Sequence, residues 1–108
     1  GIGTETGRAL AATGGKVFLT ARDLKKGEEA CKSFLEPGRV ELLEMDNSSL
    51  ASVRTAAKKF LNKSGRLNVI VNNAGIMAAP WAKTEDGFES QFGTNHLAHF
   101  LFFNLLDE

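Results

Sequence analysis

Leu67-Asn68-Val69-Ile70-Val71-Asn72-Asn73-Ala74-Gly75 is a short apolar run, β-branched at three positions, that stops at two carboxamides and a glycine. A run of this length without polar alternation predicts a strand buried on both faces, the habit of a parallel sheet. Asn72 and Asn73 each bring a carbonyl acceptor and an amide donor to the strand's carboxyl end. Gly75 then lets backbone come close to whatever sits there. In open α/β sheets, ligands bind in the crevice beyond the strand ends. The alternative is that both asparagines only satisfy neighbouring loops, since buried polar groups need partners in any protein.

Working outward, the segments on either side alternate in kind. Gly1-Ile2-Gly3 leads into Thr4-Glu5-Thr6-Gly7-Arg8-Ala9-Leu10-Ala11-Ala12, a tight turn feeding a helix whose free first-turn amides make a seat for phosphate. A frayed chain end reads equally well at those three residues. Gly14-Gly15 ends that helix and Lys16 to Arg22 reads as the next strand. Asp23 is placed to cap a second helix with Leu24, Cys31, Phe34 and Leu35 on its apolar face, broken by Pro37-Gly38. Arg39 to Met45 is a third strand that ends at Asp46-Asn47. Ser49 caps a helix carrying Leu50, Val53, Ala57, Phe60 and Leu61 on one face, closed by Ser64-Gly65. Beyond the Ala79-Pro80-Trp81 loop, Asp86-Gly87-Phe88-Glu89 has the form of a capping box for the last helix. Strands and helices alternating at this spacing define an α/β chain with a parallel sheet. The whole of 1–108 reads as one dinucleotide-binding domain of Rossmann type, doubly wound and incomplete. It lacks the strand that should precede its first turn, and its last helix runs out at Leu105-Leu106-Asp107-Glu108 without a cap.

Composition narrows the function classes. Lys plus Arg and Asp plus Glu both number 13, so the formal net charge is zero, and no basic stripe points to nucleic acid. Cys31 is the only cysteine, which fits a reducing compartment such as the cytoplasm. The apolar run 97–106 is too short to span a bilayer. His96 and His99 lie three apart on a helix, but two ligands do not make a zinc site, so no metal is expected.

Taken together, Gly1-Ile2-Gly3, Thr20-Ala21-Arg22, Asp46, Asn72-Asn73-Ala74-Gly75 and Asn95 within Phe92-Gly93-Thr94-Asn95-His96-Leu97 resemble the short-chain dehydrogenase/reductase family over essentially the whole chain. Asn95-His96-Leu97-Ala98-His99-Phe100-Leu101 is most similar to the branch holding retinol dehydrogenases and the WW-domain oxidoreductase. The resemblance implies hydride transfer between a nicotinamide cofactor and a small alcohol or carbonyl substrate. It places Gly1, Ile2 and Gly3 under the pyrophosphate, Asp46 on the adenine amino group, and the backbone of Asn73, Ala74 and Gly75 along the ribose. It makes Asn95 the catalytic asparagine, which distorts its helix and holds a water of the proton relay. Asn47 stands where the family usually has an aliphatic residue beside the adenine. The family's acid/base tyrosine is absent, because these residues include no tyrosine at all. The expectation is therefore a cofactor-side fragment, inactive alone; the alternative is a non-catalytic nucleotide-binding or interaction module. The family also implies a homodimer of the intact protein, joined through the apolar last helix.

Cofactor choice turns on Arg22. An acid ~20 residues after the glycines meets the ribose 2′-hydroxyl of NAD, whereas an arginine accommodates the 2′-phosphate of NADP. Arg22 predicts NADP over NAD. Asp23 is its rival, although Asp23 is better used as a helix cap.

Overall fold

The computed structural model describes residues 1–107. It divides into two compact units, Gly1–Glu44 and Met45–Glu108.

In the first unit, α1 (Ile2–Ala12), β1 (Val17–Ala21), α2 (Leu24–Cys31) and β2 (Val40–Glu44) follow one another in the expected order. β1 and β2 pair in parallel with Val17 opposite Val40 and Ala21 opposite Glu44. Strand alternation puts Leu19, Ala21 and Leu42 on one face. Both helices approach that face through glycines. A Cβ on Gly7 would lie 2.4 Å from Leu19 Cδ2, and one on Gly27 would lie 2.8 Å from the Ala21 Cβ. The Arg39 guanidinium closes α1 from outside: its Nη1 donates to the carbonyls of Ala11 (2.8 Å) and Gly15 (3.0 Å). Asp23 caps α2, accepting from the amides of Lys25 and Lys26. That helix ends at Cys31, earlier than its apolar pattern suggests. Phe34 and Leu35 belong to the turn that follows, where their amides reach back to the Cys31 carbonyl. Cys31 is a buried core residue, and burial pushes its thiol pKa up, partly offset by the nearby Arg8 cation.

In the second unit, α3 (Leu50–Lys63) starts at Ser49, whose hydroxyl accepts from the Ser52 amide. It buries Val53, Ala56, Ala57 and Phe60, while Leu61 on the expected apolar face stays 46% exposed. The last helical stretch comprises α4 (Ser90–Phe92), a π-helical turn over Gly93–Leu97, and α5 (Ala98–Leu106). Met45, Val53, Ala56 and Ala98 make the core between α3 and this stretch, with Leu101 and Phe102 packed against it.

Two expectations are corrected here. Residues 67–73 form no strand: the only sheet among the described residues has two strands, β1 and β2. Val69 and Val71 are 67% and 53% exposed. In the doubly wound strand order the fourth strand lies beside the first, not beside the second or third. No first strand exists among these residues, so the apolar run has nothing to pair with. The second correction concerns Asp86. It does not open the last helix; its carboxylate accepts from the amide of Leu50 (2.8 Å), at the positive end of α3. Glu89 is the cap instead, accepting from the amides of Gln91 (3.0 Å) and Phe92 (2.9 Å).

Candidate functional site

The candidate residues divide between the two units. In the first, Gly1 is the N-cap of α1, and Ile2 and Gly3 form its first turn. No side chain caps that helix, so its first amides are open to an anion. Gly1 has open space where a Cβ would stand. Arg22 follows β1 directly; it is exposed, and among the described residues no hydrogen bond or ion pair engages it. Its rival Asp23 is spent on the start of α2.

In the second unit, Asp46 is half-buried. Its Oδ1 accepts from both the Ser48 amide (2.9 Å) and the Ser48 hydroxyl (2.6 Å). The Asp46 amide donates to Ser52 Oγ at 2.8 Å, which fixes the backbone at the mouth of β2. Oδ2 is left to accept from elsewhere. Beside it the Asn47 Nδ2 is buried without an acceptor, an unpaired donor that such a site has to explain.

Asn95 and the turn after residue 73 are brought together. Asn95 Oδ1 accepts from the Ile76 amide and Nδ2 donates to the Ile76 carbonyl, both at 2.8 Å. This paired bond occurs where the helix widens into its π turn, a device frequent at functional sites. Gly75 suits the close approach: a Cβ there would lie 3.2 Å from Asn95 Oδ1, and the carboxamide would have to give way by a few tenths of an ångström. Asn73 and Ala74 lie on the same exposed segment. The sequence reading passed over one residue of this group. His99 Nε2 lies 2.6 Å from the Ala74 carbonyl, one turn beyond Asn95. Its signal was the spacing of four from Asn95, which puts both side chains on one helix face. His96 instead sits between the rings of Phe92 and Phe100, at centroid distances of 5.3 and 5.8 Å. Ala78, two residues past the clamp, has φ +56°, a left-handed backbone that costs a non-glycine residue about 1–2 kcal/mol. Met77 and Trp81 on this loop are 89% and 74% exposed.

The first unit thus has a parallel sheet met by helices through glycines and an uncapped helix start, and the second has an asparagine clamp on the turn after residue 73. Residues 1–106 match the short chain dehydrogenase family, and the chain belongs to it. It is 68% identical over 108 residues to short-chain dehydrogenase/reductase prx1 of Penicillium roqueforti, covering all of this chain and 32% of that protein. It is 45% identical over 111 residues to human retinol dehydrogenase 11, covering all of this chain and 35% of that one. The chain thus spans about a third of the length of the curated relatives it matches. Among solved structures it is similar to the Pseudomonas aeruginosa RhlG/NADP active-site complex, with a TM-score of 0.80 and 29% identity. That match covers 98% of this chain and 42% of the other. A Mycobacterium paratuberculosis protein gives a TM-score of 0.83 at 47% identity, over 96% of this chain and 37% of its own.

Proposed function

We propose that the intact protein is an NADP(H)-dependent oxidoreductase that interconverts an alcohol and a carbonyl, with these residues forming its cofactor-side part. The observation that carries the cofactor choice is the use of Asp23 as the α2 cap, which leaves Arg22 alone to meet a ribose substituent. An NADP complex among the similar structures, and retinol dehydrogenases among the relatives, support the reading. The cofactor, when bound, supplies or accepts the hydride. Gly1, Ile2 and Gly3 would offer open amides to the pyrophosphate, and Arg22 would meet the 2′-phosphate through its guanidinium. Asp46 would accept from the adenine amino group, with Asn47 beside it, and the backbone of Asn73 to Gly75 would line the ribose. Asn95 spends its side chain on Ile76, which leaves backbone at the π turn to hold the water of a proton relay. These 108 residues contain no tyrosine, so the family's phenolic acid/base is not among them, and turnover is a property of the intact protein.

The test is the ratio of NADPH to NADH dissociation constants in the intact protein and its Arg22→Ala variant at one low ionic strength, because salt screens the contact. Loss of a charge-assisted bond of about 1.5–3 kcal/mol should weaken NADPH roughly ten- to a hundredfold and leave NADH almost unchanged. An unchanged ratio means that Arg22 does not face the phosphate. Asn95→Ala should lower kcat far more than it weakens cofactor binding, since the side chain's bonds to Ile76 hold the π turn whose backbone positions the water. Equal changes in the two would make Asn95 a structural residue of the cofactor cleft.

A further inference from the structure

Asn95 is not the only side chain of its helix that holds the turn. Ala74 and Ile76 flank Gly75, and each is tied to the same helix face: Ile76 through both polar atoms of Asn95, Ala74 through His99 Nε2 at 2.6 Å. The Ala74 oxygen can only accept, so His99 must carry its proton on Nε2, and the imidazolium form would donate there equally. The bond therefore survives protonation of the ring.

Planarity turns this contact into a directional one. In a trans peptide the carbonyl and the following N–H point in opposite directions. With the Ala74 oxygen drawn to His99, the Gly75 N–H of the same peptide is aimed away from the helix. Among the described residues nothing accepts from it. Without the His99 bond, this glycine-flanked peptide is free to rotate, since Gly75 tolerates ψ and φ values closed to other residues.

We propose that His99 is a positioning residue that locks the Ala74–Gly75 peptide plane and thereby presents the Gly75 N–H as a donor to an oxygen of the bound dinucleotide. This deepens the cofactor reading above and rests on it. His99 contributes to affinity through the backbone it orients, not by touching the ligand.

Three measurements on the intact protein decide the matter. Nitrogen-15 correlation spectra of the His99 ring in the cofactor-free protein should show the Nε2–H tautomer; a ring protonated only on Nδ1 overturns the pin. His99→Phe keeps the ring and removes the donor, and should weaken NADPH roughly five- to tenfold, the value of one neutral hydrogen bond. His99→Gln places an amide donor near the lost Nε2–H and should recover most of that loss, which simple loss of packing would not do. Wild type, His99→Phe and His99→Gln binding equally well, or Gln failing to recover any affinity while remaining folded, overturns the proposal. A wild type that binds neither NADPH nor NADH overturns the cofactor reading as well, and is told apart by that absence of binding from failure of the pin alone.

Discussion

Residues 40–44 and residues 67–71 are both short and rich in β-branched or leucine side chains, yet only the first is a strand. Val40 and Leu43 are 1% and 3% exposed, whereas Val69 and Val71 are 67% and 53% exposed. β2 is hydrogen-bonded to β1 along five residue pairs. The later run has no neighbour among the described residues, and without one its backbone groups cannot enter a ladder. Propensity marks a segment as fit for a sheet; the partner makes it a strand.

The largest effect expected from this difference is in stability. Val40→Ala in these 108 residues should cost about 2 kcal/mol, the lost transfer energy of two buried methyl groups plus the cavity left behind. Val71→Ala, the same chemical change on the exposed run, should stay within about 0.5 kcal/mol. Urea midpoints of the two variants measure this, and equal losses would show that the 67–71 run is packed after all. In the intact protein Val71→Ala should approach the cost of Val40→Ala, because there a partner strand is expected.

What was legible in the sequence follows the same division. Asp23 and Ser49 were readable as caps because each satisfies amides two or three residues away, a local code that needs no tertiary partner. Asp86 was misread because its acceptor role is spent on Leu50, 36 residues earlier in the chain. The early end of α2 was hidden because Phe34 and Leu35 keep the apolar period beyond the last helical residue. The π turn at Gly93–Leu97 has no compositional mark; only the family resemblance of Asn95 pointed to a distorted helix there. His99 escaped for a related reason, since its partner is a backbone carbonyl and the sequence shows only side chains.

A smaller effect extends the contrast to helix starts. The amide of Gln91, and after it that of Phe92, hold the Glu89 carboxyl below the usual carboxylate range. A depressed folded pKa means that the contribution of Glu89 is complete above the unfolded carboxylate value and is lost as pH falls through the folded one. Acidification should therefore loosen the start of α4, seen as a shift of the Gln91 and Phe92 amide resonances that Glu89→Gln abolishes. Titration of those amides unchanged by the substitution would mean that another group reports there. Because Glu89 acts locally, this titration should be the same in the 108-residue chain and in the intact protein, unlike the response at Val71.

Amide hydrogen exchange tests most directly whether the 67–71 run is a strand that lacks only its partner. In the 108-residue chain, the amides of Val69 and Val71 should exchange as freely as those of an open loop, while Leu19 and Leu43 in the β1–β2 ladder are protected. In the same chain with a strand-forming segment added ahead of Gly1, Val69 and Val71 should gain protection comparable to that of Leu19. Protection at Val69 and Val71 already present in the 108-residue chain, or none gained in the extended one, would contradict the account.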